Sequence, residues 1–117
     1  MMLRGTTAAA VLFATLAGAA GAYAADGAAL WEKHCASCHG PDGKGDTKAG
    51  KMTKVEDLTA ADVKAGLTHD KVRQAIADGI VDKDTGKTRM KGYKDKLSAE
   101  EIDTLTDYLL GLVGAGK

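Results

Sequence analysis

The sequence contains few of the residues that usually stabilise a small protein. Its 117 residues include one proline, two cysteines, one tryptophan, three tyrosines and one phenylalanine. A chain of this length forms one domain, and with so few bulky side chains it buries only a modest hydrophobic core. We therefore expect a metal, a cofactor or cross-links to stabilise the fold.

The two cysteines are poorly placed for a structural disulfide. Cys35 and Cys38 are separated by two residues, so a bridge between them would close a very small loop. Such a loop removes little conformational entropy from the unfolded chain and adds little stability. The pair is therefore expected to serve another chemistry.

The sequence also has no excess of charge of one sign and, after residue 24, no long apolar run. The formal net charge is zero, and no aromatic-basic surface pattern is present, which argues against nucleic-acid binding. After residue 24 no segment is apolar enough to cross a membrane. The one apolar run, residues 8–20, is shorter than the roughly 18 to 20 residues that a bilayer requires. We expect no stable membrane insertion.

The first 24 residues have the features of a secretory signal peptide. Arg4 gives a positive start, the apolar run follows, and the small-x-small sequence at residues 22–24 predicts cleavage after Ala24. The mature protein would then be one domain, residues 25–117, exported in soluble form.

The remaining patterns are helical. No segment shows the two-residue alternation of a strand, so the sequence predicts an all-α protein. Asp26 is a candidate N-cap for a first helix that runs toward Cys35 and ends at Gly40. Residues 41–54 are rich in Gly, Lys and Asp without periodicity, and they predict an irregular loop.

Further helix starts are predicted downstream. Thr59 and Thr68 are candidate N-caps of two short helices, the second of which ends at Gly79. The last helix has the clearest start, because Ser98 and Glu101 form a capping box. Apolar residues then recur at spacings of three and four: Ile102, Leu105, Leu109 and Leu112. Residues between the second short helix and the last one form a long unpatterned loop, of a kind that is usually functional.

Residues 35–39, Cys-Ala-Ser-Cys-His, match the C-x-x-C-H signature of c-type haem attachment. In a helical segment, residues three and four apart share a face. Both thiols can therefore bond to the vinyl groups on one side of a haem while His39 points at the iron. This pattern predicts that Cys35 and Cys38 tether the haem and that His39 is the proximal iron ligand.

Two other uses of these residues are open at this point. A zinc site could combine Cys35, Cys38 and His39 with His34 or His69, although structural zinc sites usually have a second, separated pair of ligands. A thiol redox pair is the other alternative, and it would need a strand just before the C-x-x-C. The sequence has neither feature, so haem attachment is favoured.

The sequence resembles the class I c-type cytochromes, in particular the small bacterial ones. The resemblance rests on Gly27 and Trp31, residues 34–45, residues 90–97, and Leu105 with Tyr108. It implies an all-α cytochrome c fold, in which three main helices and several short ones wrap around one covalently attached haem c. It also implies that the first and last helices cross at these glycine, aromatic and aliphatic residues.

The other axial ligand of the iron decides between electron transfer and the binding of small molecules. From the residues alone, Met52, Met90, His69 or an open position remain, because His34 lies on the same side as His39. The resemblance implies Met90, which lies in the long loop before the last helix and is followed by Tyr93. Two features depart from the family pattern. Lys91 stands where a proline often follows the methionine, and the sequence has no proline after Pro41 whose carbonyl could accept a hydrogen bond from the His39 ring.

Charge is unevenly distributed along the chain. Residues 33–54 hold five lysines against two aspartates, residues 83–96 hold six basic residues against two aspartates, and the last helix is acidic. The loops expected at the haem edge are therefore basic, and they can steer an acidic redox partner. Solvated loops without a docking role are the alternative interpretation.

Together these features predict a monomeric periplasmic electron carrier that is not an enzyme. The alternative is a small haem enzyme or gas-binding sensor, in which the sixth position of the iron is open or weakly ligated.

Overall fold

The computed structural model of the protein describes Gly5 and residues 19–115, with side chains from residue 26 onward. The predicted signal peptide, residues 1–24, lies outside the described residues apart from Gly5 and the backbone of residues 19–24. No helix of the described ranges is both long and apolar enough to span a bilayer. The elements are, in chain order, α1 (Ala19–His34), α2 (Ala36–His39), α3 (Lys48–Thr53), α4 (Ala61–Ala65), α5 (His69–Asp78), β1 (Gly79–Val81), β2 (Thr88–Lys91) and α6 (Ala99–Val113).

The first and last helices cross at small and aromatic residues, as expected. A Cβ atom built on Gly27 would lie 3.0 Å from the Cβ of Tyr108, so glycine allows a close approach of α1 and α6. The ring centroids of Trp31 and Tyr108 are 6.1 Å apart, and Trp31 and Leu105 are almost completely buried. The predicted all-α architecture and the predicted crossing are both confirmed.

The hydrophobic core is modest and includes one of the two thiols. Helix α5 packs against α6 and adds two buried side chains to the crossing of α1 and α6. The buried cluster consists of Trp31, Cys35, Val72, Ile76, Leu97, Ile102, Leu105, Leu109, Leu110 and Val113. Cys35 therefore belongs both to the core and to the C-x-x-C-H sequence of residues 35–39, which is called the attachment motif from here on.

Two helix starts and one helix end agree with the sequence. The Ser98 hydroxyl accepts a hydrogen bond from the Glu101 backbone, and the Glu101 carboxylate accepts one from the Ser98 backbone, so the capping box of α6 is formed. The Thr68 hydroxyl accepts from the backbone N–H of Lys71 at the start of α5. Gly79, with φ of 80°, ends that helix.

Three expectations about helix starts and continuity are wrong. Helix α1 begins at Ala19, so Asp26 lies inside it and is not its N-cap. The predicted first helix is interrupted at Cys35, which separates α1 from α2. The N-cap of α4 is Ala60, because the Thr59 hydroxyl instead donates a hydrogen bond to the Asp57 carboxylate at 2.5 Å.

Residues 41–54 are not the irregular loop that their composition predicts, since they contain α3. The Thr47 hydroxyl caps this helix by accepting from the backbone N–H of Gly50. The same hydroxyl lies 2.8 and 2.9 Å from the carbonyl oxygens of Ser37 and Cys38, to which it donates. A Cβ on Gly50 would overlap the Cys38 carbonyl oxygen, so glycine is required for α3 to pack this closely on the attachment motif.

The long segment after α5 is a short antiparallel hairpin rather than an unpatterned loop. Strands β1 and β2 pair with Ile80 opposite Met90. The Asp82 carboxylate closes the turn by accepting from the backbone N–H groups of Asp84 and Thr85, at 2.9 and 3.0 Å. Pairing with Ile80 in the hairpin defines the backbone position of Met90.

Candidate functional site

A cavity of about 220 Å³ lies where the junction of α1 and α2, the end of α3 and strand β2 meet. Four of the side chains around it are the ones that the sequence assigned to the haem site. The full lining is His34, Cys35, Cys38, His39, Thr53, Val55, Arg89, Met90, Lys91 and Tyr93. Attachment motif and candidate sixth ligand therefore share one cavity, although they are far apart in the sequence.

The other two candidates for the sixth ligand do not line this cavity. Met52 lies on α3 with 75% of its surface exposed. His69 is in the first turn of α5, where its Nε2 lies 3.4 Å from the Asp107 carboxylate of α6. Of the three side chains, the structure brings only Met90 to the attachment motif.

A break in the helix arranges the attachment motif. The backbone N–H of Cys35 donates to the Trp31 carbonyl at 2.8 Å and so continues the pattern of α1. The N–H groups of Cys38 and His39 then both donate to the Cys35 carbonyl, at 3.2 and 2.9 Å. This tightened turn starts α2 at Ala36 and keeps both thiols and the imidazole at one cavity.

The environment of the Cys35 thiol disfavours its deprotonation. Burial, with a smaller contribution from the nearby Cys38 sulfur, raises the pKa of Cys35 to about 11. The thiolate is the form of cysteine that attacks disulfides and binds metals. A helix rather than a strand precedes the C-x-x-C, and no group of three or more His, Cys, Asp and Glu side chains within the described residues is arranged to hold a metal ion, so both alternatives lose support.

The His39 ring is held in the neutral form. Its centroid lies 5.9 Å from that of Trp31, and burial lowers the pKa of His39 below its usual value. Neutral imidazole is the form that binds a metal. Its Nδ1 is buried and has no hydrogen-bond partner among the described residues, so no backbone carbonyl of these residues replaces the proline acceptor that the sequence lacks.

The backbone around Met90 is tightly packed. Gly79, at the start of β1, has φ of 80°, and a Cβ there would lie 2.6 Å from the backbone nitrogen of Gly92. A side chain at position 79 would therefore push β2 away from α5. Sequence reasoning identified Gly79 only as a helix end, because its contact with the Met90 segment depends on the hairpin.

Tyr93 makes two contacts with His34 that could not be predicted from the sequence. Its hydroxyl donates a hydrogen bond to the His34 carbonyl at 3.0 Å, and its ring packs edge-on against the His34 ring at 5.4 Å between centroids. Burial raises the pKa of Tyr93, so the hydroxyl remains protonated and able to donate. Tyr93 thus joins the end of the hairpin to the end of α1.

The profile of the cytochrome c family matches residues 24–112. Cytochrome c6 of Microcystis aeruginosa is 32% identical over 91 residues, which cover 78% of this chain and 99% of that protein. The solved structure of the KustC0563 c-type cytochrome superposes with a TM-score of 0.62 at 27% identity, covering 79% of this chain and 99% of that one. A mutant of that cytochrome gives a TM-score of 0.63 at 28% identity, with 74% and 98% covered.

Proposed function

The chain belongs to the cytochrome c family as a small class I c-type cytochrome, and we propose that it is an electron carrier whose iron is held by His39 and Met90. It contains one covalently attached haem c with its iron. The observation that supports the proposed ligands is the single cavity lined by Cys35, Cys38, His39 and Met90. The donor set fits this group, because it combines two free thiols, a neutral imidazole and a thioether.

Each of these residues has a distinct role in the proposal. The haem supplies a centre that accepts and releases one electron at a time. Cys35 and Cys38 would fix its position through thioether bonds, and the neutral His39 imidazole would bind the iron. Met90 would supply a second ligand, a thioether, which together with imidazole raises the reduction potential. With both ligands supplied by the protein, the site would exchange electrons without binding a substrate, and the protein would not be an enzyme.

The protein scaffold keeps these groups in place between oxidation states. Trp31 packs on the His39 ring, and its indole N–H donates to the Gly40 carbonyl at 2.9 Å. Leu97 and Ile102 are buried nearby in the same hydrophobic cluster. Packing behind the His39 ring holds the bound group in one orientation, which limits rearrangement when the charge of the site changes.

We also propose that residues 1–24 are a signal peptide, cleaved after Ala24, and that the mature domain works in the periplasm. The positive start, the short apolar run and the Ala-Tyr-Ala site support this proposal. Cleavage would shorten α1 and make Asp26 the second residue of the mature chain, next to the new N-terminus. An acidic residue at that place stabilises the helix start.

The experiment that tests the proposed function is the spectrum of the protein purified from the periplasm of a host that attaches haem c. We expect the mass of residues 25–117 plus one haem, a weak near-infrared sulfur-to-iron band in the ferric form, and no spectral response to CO or cyanide at modest concentration. High-spin iron that binds CO readily would contradict the carrier and favour an enzyme or gas sensor.

We further propose that the protein works as a monomer and docks an acidic redox partner through the basic loops at the cavity. Arg89 and Lys91 line the cavity themselves, and the exposed Lys87 immediately precedes β2. The acidic side chains of α6 line other surfaces. Positive charge near the site accelerates the approach of an acidic partner and orients it.

Reversal of one charge on the hairpin tests this docking surface. Lys87→Glu is expected to lower the bimolecular electron-transfer rate with an acidic redox protein several-fold at low salt, and the difference should shrink as salt rises. Stopped-flow mixing measures both. Lys64→Glu is the matched control, because Lys64 lies beside Gly114 at the end of α6. Equal effects of the two variants would show that net charge, rather than this surface, sets the rate.

A further inference from the structure

The break between α1 and α2 leaves the His34 carbonyl outside the helical pattern. In a continuous helix the His34 carbonyl would accept from the N–H of Cys38. Here the Cys38 N–H donates to the Cys35 carbonyl instead. The His34 carbonyl accepts from the Tyr93 hydroxyl, at 3.0 Å, and this bond joins residues that lie 59 positions apart.

The backbone of Tyr93 is fixed by a second set of contacts. Its N–H donates to the carbonyls of Ile76 and Ala77 at the end of α5, at 2.8 and 3.1 Å. A Cβ on Gly92 would lie 2.6 Å from the Ala77 carbonyl oxygen, so the segment after β2 lies directly against that helix. The Tyr93 side chain therefore connects a fixed point on α5 with the residue that precedes Cys35.

Met90 lies three residues before this connection and lines the same cavity as Tyr93. Because Met90 lies on β2, movement of this strand away from the attachment motif would withdraw the thioether from the iron. The hydroxyl of Tyr93 opposes that movement, because its hydrogen bond ties the chain just after β2 to the chain just before Cys35. The Tyr93 ring also packs on His34, but this contact, unlike the hydrogen bond of the hydroxyl, is not directional.

We propose that Tyr93 is a positioning residue whose hydroxyl, by donating to the His34 carbonyl, controls how readily Met90 gives way to an external ligand. This inference rests on the proposed ligation of iron by Met90. Lys91 follows Met90 where a proline would stiffen the chain. In this chain the hydrogen bond of the Tyr93 hydroxyl would hold the segment after Met90 in place instead.

The test is the affinity of the ferric, haem-loaded protein for added imidazole, which competes with Met90. Tyr93→Phe keeps the ring and removes the hydrogen bond, so we expect about a 3- to 10-fold higher imidazole affinity, the effect of one hydrogen bond. Tyr108→Phe removes a hydroxyl from the crossing of α1 and α6, away from the cavity, and should leave the affinity unchanged. If Tyr93→Phe does not take up haem, Tyr93→Leu is a second variant that removes the hydroxyl without adding a group that binds iron, with the same expected increase.

His34→Ala separates the hydrogen bond from ring packing, since it removes the ring that contacts Tyr93 but keeps the carbonyl acceptor. An increase for Tyr93→Phe with little change for His34→Ala supports the inference. An affinity within twofold of the unmutated protein for Tyr93→Phe, or an equal increase for His34→Ala, overturns it while leaving the iron ligands untouched. Absence of the sulfur-to-iron band in the unmutated protein would instead remove Met90 as a ligand, and the inference with it.

Discussion

Replacing Met90 with alanine is expected to abolish the near-infrared sulfur-to-iron band, open the iron to CO and lower the reduction potential. Among the methionines that the structure describes, Met90 alone lines the cavity with Cys35, Cys38 and His39. Loss of its thioether leaves a position that water or added ligands can occupy. Since axial ligands tune haem potentials over about 0.8 V, we expect a decrease on the order of 0.1 V or more, measured by redox titration.

Met52→Ala is the matched control for this experiment. It removes the same side chain from α3, where 75% of the residue surface is exposed, and it should leave the band, the CO response and the potential unchanged. Loss of the band in Met52→Ala together with its retention in Met90→Ala would reverse the ligand assignment. The protein would then have to rearrange α3 when haem is attached.

The second large effect is expected when both thiols are removed. Cys35→Ser with Cys38→Ser should eliminate the haem that stays with the protein on a denaturing gel, because no other cysteine can form a thioether. We also expect thermal unfolding to occur at a much lower temperature or without a cooperative transition. The buried cluster contains few large side chains, and a small domain of this kind depends on the bound group for stability.

Two further variants show whether the effect of the double variant comes from the loss of both thiols. Cys35→Ser alone should retain some covalent haem through Cys38, with lower thermal stability than the unmutated protein. Ser37→Ala, between the two cysteines, should retain both the haem stain and the stability, since the Ser37 side chain is exposed and only its carbonyl is used by Thr47. Covalent haem in the double variant would mean that another residue attaches it.

The attachment motif could be predicted from the sequence because its chemistry is contiguous. Cys35, Cys38 and His39 have a spacing that few other functions require, and the structure places them at one cavity. Met90 is different, since a single methionine in a loop carries no pattern of its own. Its prediction depended on the resemblance to a family, and its location at the cavity depends on the hairpin.

The elements that were missed have specific physical reasons. Strands β1 and β2 contain three and four residues, too few to show alternation, and a carboxylate rather than a glycine pair closes their turn. Helix α3 is stabilised by Thr47 and by a close approach at Gly50, which are tertiary contacts with the attachment motif. The start of α1 was misplaced because Asp26 has the composition of an N-cap but lies within a longer helix.

The packing of α3 on the attachment motif also has a consequence for folding. Contacts of Thr47 and Gly50 with Ser37 and Cys38 span only about ten positions of sequence, and loops of this length close in roughly 10 to 100 ns. The crossing of α1 and α6 instead joins residues about eighty positions apart and must close a much larger loop. We therefore expect the segment that contains both cysteines to acquire its local structure early in folding, while Cys35 is still accessible to the enzymes that attach haem.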